Sequence, residues 1–490
     1  MSSKEINVDE LKKTAIASTA WKLLERGGSA LVQMAVQVIM ARLLAPEQFG
    51  ALAVMLVFVN LGNVFVQSGL NTALIQAPDA DDADFSTVFW MSLVISVVLY
   101  LGIFIAAPSV ASFYSMPSIV WPLRALGLIL LLNAYNAVQV AKVTRDLEMR
   151  KIFHATLFSV SVSAFAGIAS ALLGSGLWAL VVQQISYQVA NSISLSFQVR
   201  WRPVFIFKTD RAHELFGFGW RLLISGLLDQ GYQSLADLVV GKRFSASQLG
   251  LVSQGKKYPQ AVGSMLDGAI QPVMLSAVSR VQDNSARVKS LVRRALKTSV
   301  FLIVPAMTAF ACCAPSLVPA LLGPQWGEAV PIMQIYCLAY ALLPIHTTNL
   351  QALNGMGRSD LFLKLEIIKK TYGIIALIFC AFVLNDVHAL VASYLVTGVL
   401  STFVNALPNK RIIGYSYIEQ LCDIAPVFIF ALGASVAAIL VGTLNFGPWI
   451  TVLLQCVVYI AIYLGLAAVF RLESFGYLVR TVRDFLSSHA

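Results

Sequence analysis

The sequence predicts an all-α polytopic membrane protein of about 14 transmembrane helices, built as two pseudo-symmetric six-helix lobes plus two C-terminal helices. Three observations predict it. Hydrophobic residues are 58% of the 490 and charged residues only 12%, with a mean hydropathy of +0.76, whereas soluble domains carry about a quarter charged residues. Apolar runs of about 20 residues, each enough to cross a bilayer, recur along the whole chain. A tryptophan-led pattern returns after about 200 residues.

The spans fall at about 15–43, 48–76, 86–113, 118–141, 152–173, 177–198, 215–241, 246–278, 298–322, 329–353, 361–384, 388–406, 422–443 and 448–469. No cleavable signal peptide is expected. The polar start from Ser2 to Lys13 precedes an apolar run too long for a signal core. The breaks between spans include an acidic loop at 78–84, a basic loop at 142–151, the longer break 200–214, and a basic amphipathic stretch at 280–297. The tail from Arg471 carries Leu472, Phe475, Val479, Val482 and Phe485 on one stripe, the pattern of a helix lying on a membrane surface.

Charge bias orients the spans. With the N-terminus in the cytoplasm, the inside segments hold Lys4, Lys12 and Lys13, then Lys142 to Lys151, Arg200 to Arg211, Arg280 to Lys297, Arg358, Lys364, Lys410 and Arg411. The outside loops offer only Arg42, Lys242 and Arg243. The acidic loop at 78–84 conflicts with this pattern, but acidic residues weigh little in orientation. The outside turns at 174–176 and 445–447 leave no room for an external catalytic domain.

The repeat divides the chain. Trp21-Lys22-Leu23-Leu24 returns as Trp220-Arg221-Leu222-Leu223; Ala41-Arg42-Leu43-Leu44 and Gln48-Phe49-Gly50 return as Gly241-Lys242-Arg243-Phe244 and Gln248-Leu249-Gly250. The expected domains are 1–200, an N-terminal six-helix lobe; 201–410, the linker and second six-helix lobe; and 411–490, two further spans and the tail. An even number of helices per copy gives both copies one orientation, with the symmetry axis along the membrane normal.

Enzymatic signatures are missing. The chain has no P-loop, nucleophile elbow, dinucleotide fingerprint or zinc spacing. Its six cysteines sit in apolar spans without a C-x-x-C pair and read as small core residues. No catalytic residue, metal, cofactor or nucleic-acid partner is expected.

Charges deep in spans need a reason, because lipid offers them no partner. Lys22 and Arg26, with Glu25, share one face of the first span. They form either an interfacial cluster or the cationic wall of a cavity. Lys256 and Lys257 lie near mid-membrane in the eighth span, just before Tyr258 and Pro259. They line a cavity or pair with carboxylates of the seventh span. Arg124 is a cavity residue or an interfacial anchor. Asp229, Asp237 and Asp267 are ion-coupling candidates, or else neutralise nearby lysines. Glu366, Lys369 and Lys370 read first as a structural pairing.

One set of segments carries a family resemblance: 41–50 (Ala-Arg-Leu-Leu-Ala-Pro-Glu-Gln-Phe-Gly), 69–76, Ser86-Thr87-Val88-Phe89-Trp90, Trp178-Ala179-Leu180-Val181, Arg200-Trp201-Arg202-Pro203, Asp237 with Gly241-Lys242, and 322–326. Together they resemble the polysaccharide-transporter branch of the multidrug/oligosaccharidyl-lipid/polysaccharide exporter (MOP) superfamily, of the colanic-acid and teichuronic-acid flippase type, over about 15–410. The resemblance implies a V-shaped MATE-like pair of lobes in the bacterial inner membrane. It implies flipping of undecaprenyl-pyrophosphate-linked oligosaccharide by alternating access, coupled to H+ or Na+, beside a polysaccharide polymerase and glycosyltransferases. Related lipid II flippases use cations in their first and eighth helices, where this sequence has Lys22, Arg26, Lys256 and Lys257. The alternative of a drug/cation antiporter asks for acidic cavity residues instead. A membrane glycosyltransferase or polymerase asks for larger loops.

Overall fold

The computed structural model describes Trp21 and residues 27–30, 32–67, 70–77, 80–444 and 446–489. All regular elements among them are helical, and eleven helices are long and apolar enough to cross a membrane. This is a multi-pass membrane protein. Three further expected spans differ. The first lies partly outside the described residues and is seen as α1, Gly27–Leu43. The others form α8, Leu177–Gln198, and α9, Thr209–Arg243. Both have the length to cross a bilayer. They are less apolar because α8 carries Gln183, Gln184, Gln188 and Asn191, and α9 carries Asp229, Gln230, Gln233 and Asp237.

The chain packs as two units, Met1–Gly250 and Leu251–Ala490. The first contains α2 (Pro46–Gln67), α3 (Leu70–Gln76), α4 (Asp82–Phe113), α5 (Val120–Gly127), α6 (Ile129–Arg145) and α7 (Met149–Leu172), with α8 and α9. The expected single span at 118–141 is bent at Leu128 into α5 and α6. Helices α7 and α8 form a hairpin whose turn needs Gly174 and Gly176 at φ of 76° and 55°. Helix α9 packs on α2, α3 and α4.

One end of this unit is stapled by charge. Asp81 caps α4 in a reciprocal box with Asp84. Lys142 reaches Asp82 at 2.6 Å, Lys208 reaches Asp81 at 2.8 Å and Asp84 at 3.3 Å, and Arg211 lies 3.7 Å from Asp84. Arg145 donates to the Ala80 carbonyl at 2.8 Å. The acidic loop that conflicted with the charge bias is thus the counter-ion of two neighbouring basic segments. Residues 200–208, expected as a plain linker, form a strap over α4. The Ser86 hydroxyl accepts from the Val204 N–H and the Thr87 hydroxyl from the Lys208 N–H, while the Trp90 indole donates to the Val204 carbonyl. Beneath the strap Trp201 is buried with Phe85, Phe89, Leu74 and Val138.

The sequence repeat becomes a contact at the start of α10, Ala246–Ser279. Gln48 accepts from the Ala45 N–H at 3.0 Å, and Gln248 does the same for Ser245 at 3.3 Å. A Cβ on Gly50 would stand 1.7 Å from the Ala246 carbonyl oxygen; one on Gly250 would stand 1.9 Å from that of Pro46. The two backbones therefore touch reciprocally, residue for residue. Each glycine exists there because any side chain would collide with a carbonyl.

In the second unit α11 (Ser285–Leu322) is central. It packs against α12 (Ala329–Ala341), α13 (Leu343–Gly355), α16 (Tyr417–Gly442) and α17 (Pro448–Val469). Around these lie α14 (Ser359–Phe379), α15 (Val387–Ile412) and α18 (Glu473–His489). The basic stretch expected at 280–297 is not a separate element; most of it is the first third of α11. There Lys289 pairs with Glu419 at 2.9 Å, Arg293 holds Asp423 through two hydrogen bonds of 2.7 and 2.6 Å, and Lys297 meets Glu473 at 2.9 Å. Asn349 hydrogen-bonds both Gln420 and Asn409 and so joins α13, α15 and α16. Amide pairs of this kind hold helices together where lipid supplies no hydrophobic drive.

Candidate functional site

Helix α10 carries the most distinctive arrangement of polar groups. Gly255 and Gly263 let its backbone approach α12: a Cβ at Gly255 would be 2.8 Å from Ile332, and one at Gly263 would be 3.1 Å from Tyr340. Tyr258 and Pro259 are buried on the same side. Pro259 has no N–H for the Gly255 carbonyl, which loosens the helix at this turn. Lys257 follows Gly255 by two residues, so it lies about 200° around the helix, away from α12. It is exposed, and Lys256 is half-buried. Among the described residues neither lysine has a carboxylate within ion-pair distance.

Lys257 is not alone on its face. Ser253, Gln260, Ser264 and Gln271 recur at steps of three, four and seven and lie within about 60° of one another on a 3.6-residue helix. All but Ser253 are exposed. A helix that crosses a bilayer does not turn such a stripe to lipid. Such a stripe suits water or a polar guest better than lipid. Of this stripe only Lys257 was picked out at the level of sequence. The rest of the stripe was legible as polar residues at helical spacing within one span.

Asp267, also on α10, is buried with 6% of its surface exposed. It accepts from the Gln271 amide at 2.7 Å and from the Thr347 hydroxyl of α13. Nothing cationic is paired with it among the described residues, so this carboxylate is held by neutral donors. Asp229 on α9 is exposed and accepts from Gln233 at 2.8 Å, while Asp237 is half-buried. No group of His, Cys, Asp or Glu able to hold a metal occurs among the described residues.

Arg124 has a structural occupation. Its Nε donates to the Phe104 carbonyl at 3.1 Å, and its guanidinium lies over the Phe104 and Trp121 rings at 4.2 and 4.8 Å. Pro108 sits four residues after Phe104 inside α4 and cannot donate to that carbonyl. Arg124 supplies the missing donor, which fits the anchor alternative. Glu366 pairs with Lys369, three residues on, whereas the spacing of four in the sequence pointed to Lys370. Lys22 and Arg26 lie outside the described residues. Beside them Trp21 packs on Phe153 of α7 at 5.3 Å, with the Arg150 guanidinium 5.6 Å from its ring.

This chain matches a family model described as Polysaccharide biosynthesis protein over residues 39–331. It belongs to that family. The chain is 24% identical to the succinoglycan biosynthesis transport protein ExoT of Rhizobium meliloti, over 71% of this chain and 70% of that one. It is 21% identical to the lipopolysaccharide biosynthesis protein WzxC of Escherichia coli, over 90% and 89%. It is also 21% identical to the teichuronic acid biosynthesis protein TuaB of Bacillus subtilis, over 61% and 62%. Among solved structures it is similar to the lipid II flippase MurJ in an inward closed conformation, with a TM-score of 0.74 at 13% identity over 93% and 98% of the chains. An inward-facing multidrug resistance MATE transporter of the MOP superfamily follows at 0.60 and 14%, over 80% and 98%. The fold is that of the MOP superfamily, and the expected polysaccharide-transporter branch is the one found.

Proposed function

We propose that this protein flips undecaprenyl-pyrophosphate-linked oligosaccharide repeat units from the cytoplasmic to the outer leaflet of the bacterial inner membrane by alternating access, with its N-terminus in the cytoplasm. The observation that carries the reading is the exposed stripe of α10, which includes Lys257 with no carboxylate within ion-pair distance among the described residues. A pyrophosphate crossing an apolar layer needs cations that it can reach and leave. Lysine, a flexible and strongly hydrated point charge, suits transient contact better than a bidentate clamp. Lys256, Lys22 and Arg26 are proposed to share that cationic cavity, within lobes divided by the repeat at 1–200, 201–410 and 411–490. Relatives named for succinoglycan and teichuronic acid biosynthesis support the substrate class.

Alternating access is supported by the fold shared with an inward closed lipid II flippase and an inward-facing MATE transporter. For the driving force, Asp267 is the preferred proton or Na+ site, since its donors, Thr347 and Gln271, suit either a carboxylate or a carboxylic acid. Asp229 and Asp237 are weaker candidates for the same role. A polymerase and glycosyltransferases are the proposed neighbours in the membrane. The test is deletion in the native host. Lipid-linked repeat units should accumulate on the cytoplasmic face, and unimpaired polymer export would refute the reading.

A further inference from the structure

At one end of the second unit, the faces of two helices line a half-open cavity of about 360 Å³. Helix α11 contributes Arg294, Lys297 and Thr298, which lie three and four residues apart on one face. Helix α18 contributes Glu473, Ser474, Tyr477 and Arg480 from its own face. Three cations thus meet one carboxylate.

These charges are not equally spent. Lys297 is committed to Glu473 at 2.9 Å and to Asp423 at 3.3 Å. The neighbouring Arg293 is committed to Asp423. Arg294 and Arg480 have no carboxylate among the described residues. Among the described residues Arg294 meets the Tyr477 ring, 5.7 Å from its guanidinium carbon. Arg480 uses Nε on the Gly476 carbonyl and keeps its terminal nitrogens free of any described hydrogen bond. The hydroxyls follow the same division. Ser299 donates to the Ala295 carbonyl one turn back, whereas Thr298 and Ser474 make no hydrogen bond with a described residue. Among the described residues, the Arg294 guanidinium and the terminal nitrogens of Arg480 have no carboxylate partner and two hydroxyls make no hydrogen bond, so the cavity is a donor-rich site with an excess of positive charge. That donor set matches the oxygens of a phosphate.

The level of the cavity suggests where such a phosphate comes from. Helix α11 has 38 residues, about 57 Å at about 1.5 Å per residue, against a hydrocarbon core of about 30 Å. Its basic first third therefore extends past the core into the headgroup layer. Helix α18 is placed there too, with Phe475 packed on Phe301 of α11 at 6.3 Å and Val479 exposed. We propose that the α11–α18 cavity is a binding site for a phosphate-bearing anionic headgroup, supplied by a phospholipid of the bilayer.

The experiment uses the full chain, purified in a mild detergent and examined by native mass spectrometry with added phosphatidylglycerol, phosphatidylcholine or inorganic phosphate. The wild type should retain phosphatidylglycerol over phosphatidylcholine, and Arg294→Gln/Arg480→Gln should lose that preference about tenfold, the loss of about 1.4 kcal/mol. A second variant, Thr298→Val/Ser474→Ala, keeps every charge and should weaken retention in the same direction, so a failure of the first to fold does not protect the proposal. Inorganic phosphate that displaces the lipid and is itself retained would assign the same chemistry to free phosphate instead. Equal retention by the wild type and both variants would overturn the site.

Discussion

At the stapled end of the first unit, Asp81, Asp82 and Asp84 each lie within 4 Å of a lysine or arginine; on α10, Lys256 and Lys257 lie beside no described carboxylate. The charged residues in both regions are side chains of a membrane protein, but their settings differ in kind. A charge pair outside the hydrocarbon core can be exposed, weak and still useful, because it fixes which segments lie together. An unpaired charge within a span is expensive, and is kept where water or a ligand completes it. Pairing therefore separates the residues that hold the protein together from those free to act.

The largest contrast should come from neutralising one set at a time. Lys256→Gln/Lys257→Gln should reduce export at least about tenfold, a change equivalent to about 1.4 kcal/mol on the transport barrier, while thermal stability in detergent holds. Lys208→Gln, at the staple, should leave export per folded molecule unchanged. Full export by the double lysine variant at normal expression would break the comparison.

Next in size are the glycine contacts. Gly50→Ala and Gly250→Ala each force a methyl group against a backbone carbonyl, an overpacking that costs about 1–3 kcal/mol. Both should lower the melting temperature of the purified protein. A normal melting temperature in either would mean that the reciprocal contact is not part of the resting state.

Arg124→Gln tests the anchor. It leaves the Phe104 carbonyl without its donor, at a cost of about 1–3 kcal/mol if that group stays dry. Stability should fall while export per folded molecule remains. A selective loss of export would return Arg124 to the substrate path.

The smallest effect concerns pH. The hydrogen bond from Lys208 holds the Asp81 carboxyl below its ordinary value of 3.8. The stabilisation from this group is therefore complete above 3.8 and is lost as pH falls through the depressed value. Melting curves of the wild type and Asp81→Asn should converge in acid and separate slightly toward neutral pH. Curves that stay parallel throughout would remove the staple's electrostatic role.

Most of the helix positions were legible because hydropathy is a local property. A run such as Leu93 to Ala107 announces a span wherever it folds. The repeat was legible too, since Gln48-Phe49-Gly50 and Gln248-Leu249-Gly250 needed only to be aligned. The polar spans were harder. Helices α8 and α9 dilute their apolar residues with glutamine, serine and aspartate, so length had to identify them. The polar stripe of α10 was legible in principle, by counting every third and fourth residue from Lys257.

Pairing was beyond such reading. The sequence by itself determined an all-helical, membrane-embedded chain with basic segments on alternate loops, because each of these depends on residues adjacent in the chain. Only the tertiary structure decided that Asp81, Asp82 and Asp84 answer Lys142 and Lys208, and that Arg124 serves the carbonyl freed by Pro108. Those outcomes depend on contacts across 20 to 127 residues of chain. A charge's energy is set by the partner at 3 Å, wherever in the chain it lies, and the linear order of residues does not specify that partner.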